Sequence, residues 1–246
     1  MPNSFRTQET RQRLLETAAD VFAKNGYRNA TFREICQRAH ANIAAVNYHF
    51  RDKEHFYAAV VEHVIEQERD LLREFQSRMD RPAPPEGRLR SFVYWTLNSL
   101  LGTAPPTRLL RLMAHEMMEP TSGLDFMVER VFRPPLQNLR EIVSVILGEK
   151  ASPQVVADCA NSITGQCFTY HHSRAAIARL GDYLTYDQAT IDHLADHITR
   201  FSMGALRSMR EALDAAALPA ALQPASSRAS ENAGSQENRE SVGEMQ

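Results

Sequence analysis

The sequence predicts an all-α protein in two parts, an N-terminal three-helix domain with a helix-turn-helix and a C-terminal helical bundle. Three observations support this prediction. Apolar residues recur at helical spacing along most of the 246 residues, strand-like alternation is missing, and segments rich in Pro, Gly and Ser separate pieces of helical length. A chain of this length can bury a sizeable core as one or two domains.

The first helix is predicted over about residues 7–25. Its apolar residues, which include Leu14 and Phe22, form a stripe along one side. Gly26 follows and is suited to a left-handed C-cap. We expect this helix to support the two short helices that come next.

A second helix is predicted to begin at Thr31. Thr31 and Glu34 fit the capping box, in which the hydroxyl accepts a free backbone N–H and the carboxylate reaches back to the cap. Apolar residues such as Ile35 lie on one side of this helix, and charged residues such as Arg38 lie on the other. One face is therefore expected to pack while the other meets solvent or phosphate.

A tight turn and a third helix follow. Asn42 is suited to cap a new helix, which is predicted over about residues 43–49. Glycine is common at a turn of this kind, so His40 is an unusual residue there. Because a helix this short is unstable alone, we expect Val46 to help seal it against its neighbours.

Two helices joined in this way form a motif whose second helix enters the DNA major groove. Small side chains on the outward face of residues 43–49 allow a close approach to the groove floor, and the Asn, Tyr and His side chains between them can bond to base edges or phosphates. We therefore expect a DNA-binding surface. Its predicted members are Thr31, Arg33, Ile43, Ala44, Ala45, Asn47, Tyr48, His49 and Lys53.

The charge distribution agrees with DNA binding at one end of the chain. The formal net charge of −2 argues by itself against a nucleic-acid partner. Residues 1–55, however, contain nine Lys and Arg against six Asp and Glu, a local excess of three positive charges. A basic end on an acidic remainder is expected when only that end meets phosphate.

A fourth helix is predicted from a cap at Asp52 to about Met79, where the Pro-rich segment at 81–87 stops it. Pro134 and Pro135 fall inside a later helix and should kink or split it. The helices predicted beyond the fourth span about 88–101, 106–118, 124–147, 153–180 and 188–216.

This pattern divides the chain into two domains and a tail. The last segment is rich in Ser, Ala, Asn and Glu and has almost no large apolar residue, which predicts disorder. The expected parts are a DNA-binding domain at 1–52, a linking helix at about 52–79, a ligand-binding and dimerisation domain at 80–217, and a disordered tail at 218–246.

The final two long helices, 153–180 and 188–216, carry apolar side chains on more than one face. Pairing with the same helices of a second copy would bury those faces in a two-fold four-helix interface. A dimer would also double the DNA site, with the two domains about 34 Å or a multiple apart. We therefore expect a homodimer; the alternative is that these helices complete a monomeric core.

A pocket for a small molecule is expected inside the bundle, within about residues 88–170. Met and aromatic side chains there provide an adaptable apolar wall, although each of them also fits an ordinary core position. The candidate ligand-binding residues are Phe92, Trp95, Met113, His115, Glu116, Met117, Phe126, Arg130, Arg133, Phe168, Tyr170 and His171.

The sequence gives no support for a catalytic or metal site. His193 and His197 lie four residues apart, and His171 and His172 are adjacent, but neither pair has Cys or carboxylate partners at metal-site spacing. No HExxH, GxSxG or Gly-rich phosphate loop occurs. We expect no enzyme activity, no catalytic residues, no metal and no cofactor.

Cysteine usage and hydropathy predict the location of the protein. Its three cysteines form no CxxC pair and its N-terminus lacks signal-like character, which favours a reduced, cytoplasmic protein. No apolar run approaches the ~18 residues that span a bilayer, so no membrane partner is expected.

Residues 11–57 resemble the DNA-binding domain of TetR-type bacterial regulators. The shared features are FAKNGY at the end of the first helix, a Thr-led second helix, and a closing Tyr-His-Phe followed by Lys-Glu. The sequence NIAAVNYHF at 42–50 and the segment at 115–139 are similar to the corresponding segments of the CecR-like branch of that family. The resemblance covers roughly residues 8–215 and is strongest in the first third.

The motif, the linking helix and the resemblance together predict a homodimeric transcriptional regulator. We expect a repressor that a small-molecule inducer releases from a palindromic operator in double-stranded DNA. Two alternatives stay open at this point. One is a constitutive dimeric DNA-binding protein without an inducer, and the other is a helical small-molecule binding protein or enzyme with a vestigial DNA-binding domain.

Overall fold

The structure is a computed structural model that describes residues 2–102, 107–181 and 185–216. These ranges contain helices and no β-strand, so the predicted all-α class is confirmed. The predicted disordered tail lies outside the described residues. The helices are α1 (Pro2–Asn29), α2 (Phe32–Arg38), α3 (Ile43–Phe50), α4 (Lys53–Gln67), α5 (Arg69–Met79), α6 (Pro85–Leu101), α7 (Arg108–Met118), α8 (Gly123–Met127), a π-helical turn (Val128–Phe132), α9 (Arg133–Leu147), α10 (Pro153–His172), α11 (Arg174–Leu180) and α12 (Gln188–Ala216).

Helix α1 supports the helix-turn-helix through buried side chains such as Leu14 and Phe22. It continues past its predicted end, but Gly26 interrupts the regular backbone with φ of 73° and ψ of 173°. The positive φ is one that glycine adopts readily, although it is not the left-handed helical cap that the sequence predicts. A Cβ atom at Gly26 would also lie 2.9 Å from Nδ1 of His115, so the close approach of α7 favours glycine there.

Helix α2 begins as predicted. The Thr31 hydroxyl accepts a hydrogen bond from the Glu34 N–H at 3.2 Å. The Glu34 carboxylate differs from the predicted capping box, because it accepts from Asn25 Nδ2 at 3.2 Å. This bond ties α2 back to α1.

The turn between α2 and α3 is built around His40, which has a φ of 48°. The Ala41 N–H donates to the Cys36 carbonyl oxygen at 2.9 Å, the long-range bond of a Schellman motif. The sequence therefore placed the turn correctly. A side chain with a Cβ is strained in this left-handed conformation, which glycine tolerates.

The predicted continuous helix from Asp52 to Met79 is wrong. Asp52 does cap α4, since its carboxylate accepts from the His55 N–H at 2.9 Å. The chain then leaves helical geometry at Glu68, with φ of −93° and ψ of 17°, and restarts as α5. Glu68 Oε1 accepts from the Leu109 N–H of α7 at 3.3 Å, a tertiary contact that the local sequence does not reveal.

Two later helices are also divided. The predicted helix at 124–147 is split, as its two prolines predict. It breaks at the π-helical turn, and Pro134 and Pro135 lie in the first turn of α9, where their missing N–H groups need no partner. The predicted helix at 153–180 breaks at Ser173 into α10 and α11. The bounds of α12 agree with the predicted 188–216.

Two hydrophobic clusters hold the fold together. The body cluster contains buried side chains of α5, α6, α9, α10 and α12 together with Tyr186. The head cluster contains buried side chains of α1 to α4 together with Leu109, Leu112, Met127 and Val131. We call α1 to α4 the head and the remaining helices the body. Helices α7 and α8 thus follow the head in sequence but help to form its core.

In the described part of the chain, no helix has the combination of length and apolar character that a bilayer span requires.

Replacing His40 by glycine should stabilise the protein. We expect His40→Gly to raise the free energy of unfolding by about 1 kcal/mol, because it removes the strain of a Cβ in a left-handed backbone. Chemical denaturation measures the change. The matched control His40→Ala keeps the Cβ and should give no such gain; equal stabilisation by both variants would contradict the backbone explanation.

Candidate DNA-binding surface and ligand cavity

Helix α3 is anchored by two buried side chains, Val46 and Phe50. The Phe50 ring packs against Phe56 of α4 with the ring centroids 4.4 Å apart. At the start of the helix, the Asn42 side chain accepts from the Ala44 N–H at 3.0 Å, which is the predicted cap. Contacts of this kind stabilise a helix of eight residues and fix the direction of its outward face.

Five of the six predicted DNA-contacting residues in α3 lie on its outward side, whereas Ala45 packs partly against the head cluster. Ile43 is 48% exposed and Tyr48 is 78% exposed, which is high for large apolar or aromatic side chains. Ala44 and Asn47 are also exposed, whereas the remaining two, Ala45 and His49, are half-buried. The structure thus brings small and hydrogen-bonding side chains together on one accessible helix.

The surroundings of His49 favour its neutral, unprotonated form. Burial, together with the positive charge of Arg11, lowers the pKa of His49. The imidazole is therefore neutral at neutral pH and offers one donor and one acceptor instead of a positive charge.

The three predicted residues outside α3 have different surroundings. Thr31 and Arg33 are exposed at the start of α2. Lys53 is half-buried, and its Nζ donates to the Arg28 carbonyl oxygen at 3.2 Å and lies 4.8 Å from the centre of the Tyr27 ring. Desolvation lowers the pKa of Lys53. Lys53 thus fixes the end of α1, in addition to any contact with phosphate.

Two arginines that sequence reasoning missed also shape this surface. The guanidinium of Arg11 lies 5.3 Å from the centre of the Phe50 ring. Arg13 Nε donates to the Ala39 carbonyl oxygen at 2.8 Å and so fixes the turn before α3. Their partners are far away in sequence, and the only signal for them is the excess of positive charge in this part of the chain.

The head is joined to the body through a buried carboxylate. Glu116 of α7 is 1% exposed. Its carboxylate accepts from the Tyr57 hydroxyl at 2.7 Å, from the Thr121 hydroxyl at 2.8 Å and from the Thr121 N–H at 2.8 Å. Burial, followed by the bond to Glu116, raises the pKa of Tyr57, which therefore keeps its proton and acts as the donor. This contact joins α4 to the end of α7.

The same junction is closely packed. A Cβ atom added to Gly123, the first residue of α8, would lie 2.7 Å from Cε1 of Tyr57. Glycine therefore allows α8 to lie directly against α4 beside the Glu116 contact.

A second polar contact joins α7 to α1. Arg108 Nη1 lies 2.9 Å from Glu16 Oε2, and Arg108 Nε lies 2.7 Å from Asp20 Oδ1. Burial acts to raise the pKa of Glu16, but hydrogen bonds from His63, Arg108 and Gln67 outweigh it and lower the pKa. Because these groups are partly exposed, the contact contributes modestly to stability and chiefly positions α7.

An apolar cavity of about 260 Å³ lies between the head and body clusters. Leu109 and Val131 line it and also belong to the head cluster, whereas Phe92 belongs to the body cluster. The lining residues are Phe92, Trp95, Thr96, Ser99, Leu100, Leu109, Leu110, Met113, Met117, Val131, Phe132, Pro135, Leu136, Asn161, Thr164 and Phe168.

The cavity brings together five of the predicted ligand-binding residues, which are Phe92, Trp95, Met113, Met117 and Phe168. Three others lie outside the cavity. Phe126 packs against the head cluster and Tyr170 against the body cluster. His171 Nδ1 lies 3.0 Å from the Leu100 carbonyl oxygen, so it supports the cavity wall from outside.

The four remaining candidates are charged or polar, and none lines the apolar cavity. His115 and Glu116 line a separate polar cleft of about 590 Å³ at the junction of α1 and α7. Arg130 pairs with Glu62 of α4, and Arg133 pairs with Glu129. Sequence spacing placed these residues near the bundle, but the polar partners of Glu116, Arg130 and Arg133 hold them away from its apolar interior.

Two family models match this chain. The model described as "Bacterial regulatory proteins, tetR family" matches residues 14–60, and that described as "HTH-type transcriptional dual regulator CecR, C-terminal domain" matches residues 85–206. The chain belongs to the TetR family. Its regulatory domain is CecR-like, which confirms the resemblance seen in the sequence. TetR-family proteins are DNA-binding transcriptional regulators and not enzymes, and the exposed α3 of this regulator is the second helix of its helix-turn-helix.

Individual relatives agree with this assignment. The HTH-type transcriptional dual regulator CecR of Shigella flexneri is 22% identical over 203 residues, which cover 80% of this chain and 91% of CecR. A TetR-family regulator from Mesorhizobium loti has a similar fold, with a TM-score of 0.56, 18% identity, and coverage of 81% of this chain and 98% of the other. The complex of AibR with isovaleryl coenzyme A and operator DNA gives a TM-score of 0.53 and 20% identity, and covers 78% and 97% of the two chains.

Removing the Tyr57 hydroxyl should weaken the junction between head and body. We expect Tyr57→Phe to lower the free energy of unfolding by about 1–3 kcal/mol, because the buried Glu116 carboxylate loses a donor. Chemical denaturation followed by circular dichroism measures the loss. The matched control is Tyr94→Phe, whose hydroxyl makes an exposed bond to Gln188. Equal losses in both variants would contradict a special role for the Glu116 contact.

Proposed function

We propose that this protein is a homodimeric repressor that leaves a palindromic operator when a small molecule occupies the apolar cavity. The observation that carries this proposal is the position of Leu109 and Val131. Both side chains line the cavity, and both are buried in the head cluster that holds α3. A ligand in the cavity would therefore contact the core of the DNA-binding head directly.

The proposed mechanism couples the cavity to DNA through α7. This helix packs along α1 and α4. A ligand that pushes Leu109 and Val131 towards the head would shift α1 and α4, and α3 would move with them because Phe50 packs on Phe56. Such coupling between two sites is typically about 1–3 kcal/mol in binding free energy. The AibR complex, which contains both an acyl-coenzyme A and operator DNA, supports this type of regulation by analogy.

The DNA-binding role is assigned to the outward face of α3 and its flanks. The small residues Ala44 and Ala45 would allow α3 to approach the groove floor, while Asn47, Tyr48 and His49 would bond to bases or phosphates. Thr31, Arg33 and Lys53 would contact the DNA backbone. Two copies of the head, about 34 Å or a multiple apart, would bind a site with two-fold symmetry.

Shortening side chains on α3 should weaken operator binding. We expect Asn47→Ala and Tyr48→Ala each to lower affinity by about 1–3 kcal/mol per half-site, the usual contribution of a base contact. The operator is first obtained by selecting genomic fragments that the purified protein binds, and affinity is then measured by fluorescence anisotropy at fixed salt.

The control for this test is Gln137→Ala, an exposed position on α9, which should bind the operator like the wild type. Unchanged affinity in both α3 variants would contradict the assigned face. Selected fragments without a palindrome would contradict the proposed dimeric arrangement on DNA.

The dimer interface is assigned to the outward faces of α10 and α12. Gly165 and Gly204 lie in the middle of these helices, and a Cβ at either position would meet no described atom within 4 Å apart from the adjoining backbone of its own helix. Glycine inside a helix is less stable than alanine by about 1 kcal/mol, so a close helix from a second copy would explain its presence. Phe201 lies three residues before Gly204 in α12, and its side chain is 63% exposed in the protomer.

A bulky residue at Gly165 should separate the protomers. We expect Gly165→Arg to sediment as a monomer at concentrations where the wild type is a dimer, because the side chain would hold α10 away from its partner helices. The matched control Ser144→Arg alters an exposed position on α9 and should remain dimeric. A dimeric Gly165→Arg protein would contradict the assigned interface.

A further inference from the structure

We propose that the apolar cavity takes uncharged, largely apolar ligands that carry an aromatic ring, and that it excludes anionic ligands such as acyl-coenzyme A. This inference rests on the proposed function, because it names the ligand class for the same cavity. It separates this chain from AibR, whose solved complex contains isovaleryl coenzyme A.

The first observation is the absence of ionisable side chains from the wall. None of the sixteen lining residues in the described part of the chain is Asp, Glu, Lys, Arg or His. Burying an ion in an apolar site without an opposite charge or hydrogen-bond donors carries a large free-energy cost. A carboxylate, sulfonate or phosphate inside this cavity would meet no opposite charge.

Two charged side chains next to lining residues in sequence already have partners. Arg108, adjacent to Leu109 in sequence, pairs with Glu16 and Asp20 of α1. Arg133, adjacent to Phe132, pairs with Glu129. To bind an anion in the cavity, either arginine would have to leave an existing carboxylate.

The polar groups of the wall are few and neutral. The hydroxyls of Thr96 and Thr164 each donate at 2.9 Å to a carbonyl oxygen of their own helix. Ser99 and Asn161 also line the cavity, and neither side chain forms a hydrogen bond within the ranges that the structure describes. These two side chains suit one neutral hydroxyl, carbonyl or amine on an otherwise apolar ligand.

The size and the aromatic wall define the rest of the ligand. A volume of about 260 Å³ corresponds to about nine waters at ~30 Å³ each, which accommodates a molecule with two fused rings and a substituent. Phe92, Trp95, Phe132 and Phe168 offer ring faces and edges for stacking, and Met113 can adapt to irregular shapes.

A matched pair of fluorescent probes tests the proposal on the full-length protein. N-phenylnaphthylamine and anilinonaphthalene sulfonate share the same rings, but only the second carries a negative charge. Trp95 is the only tryptophan of the chain and lines the cavity, so energy transfer from it detects a probe bound in or near the cavity, and the Asn161 variants below place it there. We expect the neutral probe to bind at least about tenfold more tightly, because the sulfonate would meet no opposite charge in the cavity.

A charge introduced at the rim should reduce or cancel this preference. Asn161 is exposed at the cavity edge, and Asn161→Lys should raise the affinity for the sulfonated probe about tenfold by supplying an opposite charge. The matched control Asn161→Gln keeps a neutral amide and should retain the wild-type preference. Isovaleryl coenzyme A should not displace the neutral probe from the wild type.

Three results would overturn the proposal: tighter or equal binding of the sulfonated probe by the wild type, displacement of the neutral probe by isovaleryl coenzyme A, or no energy transfer from Trp95 to the neutral probe. Measuring operator affinity with and without each ligand separates failure of the proposed ligand class from failure of the proposed function. If the neutral probe binds selectively but operator affinity is unchanged, the ligand class is supported and ligand-controlled repression is contradicted. If isovaleryl coenzyme A displaces the probe and releases the operator, repression is supported and the ligand class is overturned.

Discussion

The head depends on apolar side chains that the body supplies. Leu112 of α7 and Met127 of α8 are fully buried in the head cluster, so α1 and α4 cannot keep their packing if these two helices move away. Packed interiors tend to change between discrete arrangements and resist continuous deformation. A shift of α7 should therefore appear as a shift of the whole head, including α3.

Apolar and polar contacts have different roles at this junction between head and body. Apolar burial supplies most of the stability, since it removes large side chains from water without a directional requirement. The polar contacts at Glu116 and Arg108 fix where α7 sits relative to α4 and α1, because hydrogen bonds act only within a narrow range of distance and angle. One wall of the cavity is formed by the same α7, next to these contacts.

Local signals made much of the fold predictable. Thr31, Asn42 and Asp52 cap three successive helices with their own side chains, and such bonds span only two or three residues of sequence. The helical spacing of apolar residues identified the buried side of α3, and therefore its exposed DNA-contacting candidates. Met and aromatic content identified five cavity residues, whereas none of the charged candidates lines the cavity.

The remaining features depend on partners far away in sequence. Glu116 resembled a polar anchor for a ligand, yet its carboxylate is occupied by Tyr57, 59 residues earlier in the chain. The break at Glu68 accompanies a bond to Leu109, and neither residue disrupts a helix by itself. Helix propensity and apolar periodicity depend only on nearby residues, so they cannot predict contacts between residues that are far apart in sequence.

If the cavity and the operator-binding surface are coupled, a ligand at each site must weaken binding at the other by the same factor, and this reciprocity can be tested directly. The measurement is the affinity of N-phenylnaphthylamine for the free protein and for the protein saturated with its operator. We predict weaker binding to the operator complex, by the same factor by which the probe weakens operator binding. Equal affinity of the probe for free and operator-bound protein would contradict the coupling.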